Sequence, residues 1–333
     1  MSKKLLDTDS PVLAVDVGGT KIFAALFSPD GNILAGVTCP TLPGEGVSAV
    51  IDRLCAAISS LLGENKMAVA QLAGIGLACA GGIHTPRGVV VTPSPNMPDW
   101  VDVPLADIIH KKFGVRVFLV NDASAAALGE HRYGAGRGVK NLVLFTLGTG
   151  IGGGIIINNE LYLGAVGSAG EFGHMTVAAD GPLCGCGNTG CLELFASGHA
   201  VERDAAARLR RGESSVLRDM VKGDCDSVTA AQVGEAARGG DPLAYDLLAR
   251  AAYYLGVGMV NAVNIFNPEM VVIGGGMAAL GDMLLAPGRR MVAERAFSVS
   301  AGTVCIVTAA LGNEAGVYGA AAFVRDRLAR RKN

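Results

Sequence analysis

The chain has 333 residues, of which 50% are hydrophobic, 17% are charged and 5% are aromatic, and 47 residues are glycine. This composition excludes disordered and fibrous proteins, and it predicts a turn-rich α/β protein of two domains. The formal net charge of −2 gives no electrostatic footprint for nucleic acid, and no apolar run reaches the roughly 18 residues needed to cross a bilayer.

The first half of the chain predicts three strands followed by alternating helices and strands. From Val12, the sequence VLAVDV-GGTK-IFAALFS-PDGN-ILAGVT places two β-rich runs around a glycine turn and a third run after a Pro-Asp-Gly turn. The later elements of this half are predicted as a helix over 47–62, a strand over 72–79, a Pro-rich loop over 92–100, a helix over 105–113 and a strand over 115–120.

The second half opens in the same way, with a strand over 141–147, the turn GTGIGG, the strand GIIIN and the run ELYLG. Its later elements are predicted as helices over 197–211, 229–238 and 242–266, a strand over 270–273, a helix ending near 297, a strand over 303–308 and a last helix from 313. The repeated opening predicts a duplicated α/β unit, with two sheets facing each other across a cleft.

Glycine-rich turns recur at matching places in the two halves, at Gly18–Gly19 and at 148–153. Backbone N–H groups in such turns approach phosphate groups closely, although simple hairpin turns are the alternative. The second turn fits G-x-G-x-x-G, but a strand follows it, which excludes a Rossmann dinucleotide site. The first turn lacks the P-loop pattern, and the chain has no HRD or DFG triplet of a protein kinase.

Two aspartates stand at strand ends. Asp16 ends the first strand before its glycine turn, where it would suit a hydrated Mg²⁺ beside phosphates, or would cap the turn. Asp122 lies where a strand meets an alanine-rich helix. It is either a helix N-cap or a general base that takes a proton from a hydroxyl group attacking phosphorus.

A cluster of potential metal ligands follows in EFGHMTVAADGPLCGCGNTGCLE, from Glu171 to Glu193. Cys184, Cys186 and Cys191, together with His174, provide the four ligands of a closed structural zinc site. The alternatives are buried small apolar side chains or a disulfide in an exported protein. If His174 binds zinc through one ring nitrogen, its second nitrogen is free to contact a substrate hydroxyl.

The remaining features indicate the compartment. Met1–Ser10 lacks the apolar core of a signal peptide, and the other five cysteines are isolated in the sequence. Both observations predict a cytoplasmic protein.

With these features in place, the sequence resembles the ROK family of sugar kinases and repressors, and within it most closely the bacterial ATP-dependent glucokinases. The resemblance extends from Leu13 to about Val324. It rests on DVGGTK at 16–21, LGTGIGGG at 147–154, E-x-G-H at 171–174, CGCGNTGCLE at 184–193 and IGGG at 273–276.

The resemblance implies roles for the matched residues. Asp122 would be the catalytic base, and Asn121 would hold the sugar beside it. The other sugar ligands would be Asn96, Glu171, His174 and Glu193, and zinc would be bound by His174, Cys184, Cys186 and Cys191. The residues around Mg²⁺, the phosphates and the adenosine of ATP would be Asp16, Gly18, Gly19, Thr20, Lys21, Gly148, Thr149, Gly150, Gly275 and Gly276.

The implied fold is that of hexokinase and actin, in which two RNase H-like domains face each other across a central cleft and close on the sugar. A small domain would comprise 1–121 and 313–333, and a large domain 122–312 would carry the zinc loop. The implied reaction transfers the γ-phosphoryl group of ATP to the 6-hydroxyl of glucose. The resemblance also implies a homodimer or a higher homo-oligomer.

Two other functions stay open. The sugar could be N-acetylmannosamine, N-acetylglucosamine, fructose or allose, or the chain could be a non-catalytic sugar-binding regulator. The repressors of the family carry a DNA-reading module before the kinase-like part, for which residues 1–11 are too short. Two departures from the family pattern, Ala80 in place of proline and Ser124 in place of asparagine, bear on which sugar fits.

Overall fold

The computed structural model of the protein describes residues 10–330. The stretch on which the absence of a signal peptide was predicted therefore lies, apart from Ser10, outside the described residues. Within 10–330, none of the helices combines the length and the apolar character that a membrane crossing requires.

The described part of the first half contains a five-stranded sheet, a two-stranded hairpin and three α-helices. Its elements are β1 (Val12–Val17), β2 (Lys21–Phe27), β3 (Ile33–Pro40), α1 (Val47–Glu64), β4 (Gly74–Cys79), β5 (Gly82–His84), β6 (Val89–Thr92), α2 (Leu105–Phe113), β7 (Val117–Asn121) and α3 (Asp122–Tyr133). The first sheet contains five of these strands in the order β3–β2–β1–β4–β7. Strands β1, β2 and β3 pair antiparallel, whereas β4 and β7 extend the sheet in parallel to β1.

The elements of the second half are β8 (Leu142–Leu147), β9 (Ile151–Ile157), β10 (Glu160–Leu161), α4 (Glu193–Ala196), α5 (Gly198–Arg210), α6 (Leu217–Met220), α7 (Ala230–Arg238), α8 (Pro242–Phe266), β11 (Met270–Gly274), α9 (Asp282–Arg295), α10 (Ser298–Ala301), β12 (Cys305–Thr308) and α11 (Ala315–Ala329). The second sheet repeats the arrangement of the first in the order β10–β9–β8–β11–β12, with the same antiparallel and parallel pairings. The predicted α/β fold with duplicated RNase H-like units is confirmed.

Side chains of the first sheet alternate between two cores because successive strand residues point to opposite faces. Leu13 and Val15 pack against α1 and α2 on the outer face, whereas Val12 and Ala14 pack inward against α3 and α11. The inward core also contains Leu142 and other side chains of the second sheet, so α3 and α11 form a layer between the two sheets. Helices α5, α7, α8 and α9 cover the other face of the second sheet.

The two central helices approach each other at backbone distance. A Cβ atom at Gly129 of α3 would meet the carbonyl oxygen of Ala315, and one at Gly319 of α11 would meet that of Ala125. Most of α11 is buried, and its first half, AGVYGAAAF, is rich in small residues. This composition suits a helix that lies between two sheets and packs on all sides.

The structure differs from the predicted elements at several strand and helix ends and at short elements. Strand β4 begins at Gly74 and not at 72, β12 begins at Cys305 and not at 303, and the short helices α4, α6 and α10 were not predicted. Strand β7 begins at Val117 and not at 115, and the last helix begins at Ala315, after a 3₁₀ turn over Gly312–Glu314. The hairpin of β5 and β6 was not predicted, because its short strands interrupt a stretch with no extended apolar alternation. The predicted division into 1–121 with 313–333 and 122–312 stays a prediction.

Two glycine-to-alanine substitutions, one at the crossing and one outside it, test the close approach of α3 and α11. Gly319→Ala is expected to destabilise the protein by about 1–3 kcal/mol, because the added methyl group overlaps the Ala125 carbonyl oxygen. In Gly63→Ala, on the exposed side of α1 with open space around it, the same change is expected to stabilise by about 0.5–1 kcal/mol. Urea unfolding of both variants checks this, and a Gly319→Ala variant as stable as the wild type would contradict the described packing.

Candidate active site

A cleft of about 610 Å³ lies between the two sheets, and both halves of the chain line it. Its walls come from the ends of strands and from the loops that follow them, as is usual for ligand sites in α/β proteins. Of the predicted site residues, the lining includes Asn96, Asn121, Asp122, Gly148, Thr149, Gly150, Glu171, His174, Cys186, Glu193 and Gly275.

Asp122 is the first residue of α3, and it faces the cleft partly buried. Its carboxylate Oδ1 accepts a hydrogen bond from its neighbour's backbone, Ala123 N, at 2.9 Å. Burial is the main reason why the pKa of Asp122 is raised above its ordinary value, and backbone hydrogen bonds oppose the shift. The carboxylate is thus more basic than one in water, which suits a group that accepts a proton.

Asn121, the residue before it, is the N-cap of α3, so the alternative that Asp122 caps the helix is wrong. Asn121 Oδ1 accepts the backbone N–H of Ser124 at 3.1 Å, and its Nδ2 donates to the Gly81 carbonyl oxygen at 3.2 Å. This cap satisfies one of the first N–H groups of the helix. It also joins α3 to the loop after β4, which forms another wall of the cleft.

Asp16 lies near the end of β1, between Asp122 and the first turn of α11. A Cβ atom at Gly316 would stand 2.9 Å from Asp16 Oδ2. Burial, with a further contribution from the negative charge of Asp122, raises the pKa of Asp16 to about 7, and the positive charge of Lys21 opposes the shift. Two neighbouring carboxylates whose negative charge Lys21 only partly offsets provide an oxygen donor set that fits a divalent cation.

The first glycine turn contacts the cleft through Asn96. Gly18 N donates to the Lys21 carbonyl oxygen at 3.0 Å, which closes the turn between β1 and β2. Gly19 packs so closely on Asn96 that a side chain at position 19 would overlap it. Asp16, Gly18, Gly19, Thr20 and Lys21 are not part of the cleft lining itself.

The second glycine turn is joined to Glu193, which begins α4 directly after the cysteine cluster. Ile151 N donates to Glu193 Oε2 at 2.8 Å, and Gly150 leaves no room for a Cβ atom beside that carboxylate. Gly148 N bonds the Gly150 carbonyl oxygen at 3.0 Å, and the Gly148 carbonyl oxygen accepts Gly198 N at 2.8 Å. The turn is therefore held from both sides by α4 and α5.

Glu171 and His174 face the same cleft from the loop before the cysteines. Burial raises the pKa of Glu171, the charges of Asp122 and Glu193 add to the shift, and His174 opposes it. The floor of the cleft thus collects three carboxylates and one imidazole. Carboxylates accept hydrogen bonds from hydroxyl groups, so this floor suits a ligand that carries several of them.

The four predicted zinc ligands come together. His174, Cys184, Cys186 and Cys191 place their ligand atoms within 4.8 Å of one another. Cys184 Sγ lies 3.8 Å from His174 Nδ1, and the sulfurs of Cys186 and Cys191 are 3.7 Å apart. Ligand atoms around a tetrahedral zinc ion stand roughly 3.5–3.8 Å apart at ordinary bond lengths. The donor set and its spacing fit zinc, and the contact through Nδ1 leaves Nε2 of the cleft-lining His174 for another partner.

A second pocket of about 410 Å³ adjoins the cleft and shares Gly148 and Thr149 with it. Gly276 lines this pocket, whereas Gly275 lines the cleft. Its other lining residues were not predicted, because they come from α5, α7 and the turn after β11, with no common motif; they include Glu202, Ala230, Arg238, Met277 and Leu280. Ser94 and Ser168, which line the cleft, were also not predicted, because they belong to none of the matched motifs.

Comparison with known proteins supports the resemblance. The model of the ROK family matches residues 12–327. A glucokinase of Thermotoga maritima is 38% identical over 317 residues, which cover 95% of this chain and 98% of the relative. A ROK family glucokinase from Streptomyces griseus, solved in complex with glucose and AMPPNP, is 37% identical, with a TM-score of 0.81 over 95% of this chain and 99% of that one.

A ROK hexokinase from Thermus thermophilus is 34% identical, with a TM-score of 0.79 over 97% of this chain and all of that one (100%). Sequence and fold therefore agree along nearly the whole described chain, and this protein belongs to the ROK family.

Proposed function

We propose that this protein is an ATP-dependent glucokinase, which transfers the γ-phosphoryl group of ATP to the 6-hydroxyl of glucose. The observation that carries the proposal is the position of Asp122, a half-buried carboxylate of raised pKa in a cleft that the second glycine turn lines and that the first glycine turn contacts through Asn96. The likeness to glucokinases over 95% of the chain supports glucose as the sugar.

In this proposal Asp122 accepts the proton of the 6-hydroxyl as its oxygen attacks phosphorus. Its raised pKa brings the carboxylate nearer to the working pH, where a general base is most effective. Phosphoryl transfer requires mainly positioning and charge stabilisation, so one base beside oriented backbone amides suffices. The N-cap bond of Asn121 fixes the start of α3 and thereby holds the base in place.

The other sugar hydroxyls bind to the polar floor and wall of the cleft, through Asn96, Asn121, Glu171, His174 and Glu193. The phosphates of ATP lie between the two glycine turns, Gly18–Lys21 and Gly148–Gly150. The adenosine lies in the second pocket beside Gly276, with Gly275 on the side of the cleft. Asp16 would hold Mg²⁺, which when bound neutralises the charge of the phosphates.

The cysteine cluster would hold a structural zinc ion. These four side chains would fill all positions of a tetrahedral ion and would leave none for a reacting water. Its role is to fix the loop that carries His174 at the sugar. Asn188 supports this loop, because its Nδ2 donates to the His174 carbonyl oxygen at 3.1 Å.

We further propose the division into a small domain of 1–121 with 313–333 and a large domain of 122–312. In support, α11 packs on β1, β4 and β7 of the first sheet, although it follows the last strand of the second. A homodimer or higher homo-oligomer stays a prediction from the resemblance.

The base is tested with Asp122→Asn, which keeps the side-chain shape and removes its basicity. With MgATP and glucose, kcat is expected to fall about 100-fold or more, because proton removal is lost while binding contacts remain. ADP release is measured with glucose, N-acetylmannosamine, N-acetylglucosamine, fructose and allose. The exposed Asp30→Asn serves as the matched control, with wild-type kcat expected.

A variant of Asp122 with wild-type kcat would contradict the role of this residue. A sugar other than glucose with the highest kcat/KM would leave the mechanism in place and change the substrate. A folded wild-type protein that phosphorylates none of these sugars would favour the non-catalytic sugar-binding regulator.

The zinc proposal is tested with Cys184→Ser. Purified wild type is expected to contain about one zinc per chain, and the variant much less, because one thiolate of the closed set is lost. The KM for glucose is expected to rise, since His174 loses its fixed orientation. Cys305→Ser, at an exposed cysteine outside the cluster, is the control. Metal analysis that finds no zinc in the wild type would exclude a zinc site.

The raised pKa of Asp16 is tested by measuring the free energy of unfolding as a function of pH, in EDTA and without nucleotide. The pKa of Asp16 in the folded protein, about 7, lies above its value in the unfolded chain, so the unfolded chain releases this proton at a lower pH. The free energy of unfolding of the wild type therefore falls as the pH rises to about 7. Asp16→Asn cannot ionise and is expected to be more stable than wild type at pH 8, on the order of 2 kcal/mol, with little difference near pH 4.

Glu269→Gln is a control in which the pKa shift, and hence the dependence of stability on pH, has the opposite sign. Backbone N–H groups of Asn141 and Lys140 hold the pKa of Glu269 below its ordinary value, so its contribution is present at neutral pH and is lost as pH falls. This variant is expected to be less stable than wild type at pH 7, with the difference shrinking in acid. An Asp16→Asn variant that behaves in the same way as Glu269→Gln would contradict the raised pKa of Asp16.

A further inference from the structure

Glu130 is a fully buried carboxylate in the last turns of α3, the helix that begins at Asp122. It accepts three backbone N–H groups: Ala135 N at 2.8 Å, Ala310 N at 3.0 Å and Leu311 N at 2.7 Å. A negative charge near a helix C-terminus opposes the helix dipole, and burial without water adds a further cost. Three charge-assisted hydrogen bonds offset these costs.

These donors belong to two separate segments. Ala135 follows α3 directly, whereas Ala310 and Leu311 lie in the connection between β12 and α11. This connection carries the chain from the second sheet to the helix that packs on the first sheet. Glu130 therefore fastens the start of α11 to the end of α3.

The contacts around Glu130 connect, through α3 and α11, to Asp122 and Asp16. Gly129, next to Glu130, lies against the Ala315 carbonyl oxygen at the start of α11. One residue later, Gly316 lies beside the Asp16 carboxylate, at 2.9 Å from its Cβ position to Asp16 Oδ2. At the other end of α3, Asp122 is close enough to Asp16 to raise its pKa.

We propose that Glu130 is a positioning residue for phosphoryl transfer, which sets the placement of Asp16 relative to Asp122 by fastening α11 to α3. This inference rests on the proposed function, in which Asp122 is the base and Asp16 holds the cation at the phosphates. Glu130 touches neither the cleft nor the second pocket, so its effect reaches the reaction through the two helices.

The test is Glu130→Gln in the full chain. Glutamine keeps one acceptor oxygen and turns an NH₂ group toward a backbone N–H, so at least one of the three hydrogen bonds is lost. We expect kcat for glucose phosphorylation to fall about 10-fold to 100-fold, as small misplacements of catalytic groups do, with the Kd for glucose nearly unchanged.

Asp241→Asn is the matched control. Asp241 is also a buried carboxylate that accepts backbone N–H groups from two segments, Ala244 N at 2.8 Å and Val216 N at 2.8 Å. It lines neither pocket. This variant is expected to lower the Tm as Glu130→Gln does and to keep the wild-type kcat. Equal Tm losses with wild-type kcat in both variants would overturn the proposal, because Glu130 would then be a structural residue only.

Two further measurements keep the test decisive. Glu130→Asp retains the charge with a shorter reach, and it replaces the glutamine variant if that protein does not fold; its kcat is expected to fall as well.

Calorimetric titration with AMPPNP, with and without Mg²⁺, needs no turnover. The gain in affinity from Mg²⁺ is expected to be lost in Glu130→Gln and kept in Asp241→Asn, and an unchanged gain in Glu130→Gln would contradict the proposal. Failure of wild type to phosphorylate glucose counts against the proposed function, whereas these comparisons judge the inference about Glu130.

Discussion

The structure depends on the close crossing of α3 and α11. Gly129 and Gly319 let each helix approach the backbone of the other, so one thin helical layer fits between two sheets. Larger residues at these positions would push the helices apart and with them the strand ends that face the cleft. The contact therefore sets the width of the site, although it contains no residue that would touch a ligand.

The same layer explains the electrostatics of the cleft. Helix α3 begins at Asp122, and the first turn of α11 lies beside Asp16, so two helix N-termini face the carboxylates. The positive ends of the helix dipoles favour negative charge there. They do not remove the cost of burial, which raises the pKa of Asp16, Asp122 and Glu171. The site thus concentrates acidic groups, whose negative charge a cation and hydroxyl donors would compensate.

The sequence predicted those parts of the fold and site that local patterns encode. Strands such as Val12–Val17 and Leu142–Leu147 are mostly apolar runs beside glycine turns. The three cysteine ligands lie within eight residues, and His174 lies ten residues before Cys184. The assigned roles of the site residues stay predictions until they are measured.

Features that depend on the exact end of a helix or on tertiary contacts could not be predicted. Asp122 and Asn121 are both plausible N-caps by residue type, and only the helix geometry shows that Asn121 has this role. Glu130 reads as an ordinary helix residue, because its partners Ala310 and Leu311 lie about 180 residues away and offer only backbone groups. The second pocket joins three elements that share no motif.

The hydrogen bond from Ile151 N to Glu193 Oε2 has a consequence for how two ligands would affect each other. In the proposed function Glu193 would bind the sugar, and its carboxylate also accepts the backbone N–H of Ile151 in the turn that would face the phosphates. A sugar that draws on this carboxylate changes the free energy of that turn, and hence the affinity of the site for a nucleotide. Since such coupling is reciprocal in free energy, a nucleotide would change the affinity for the sugar by the same factor. One carboxylate would thereby make the two binding equilibria interdependent.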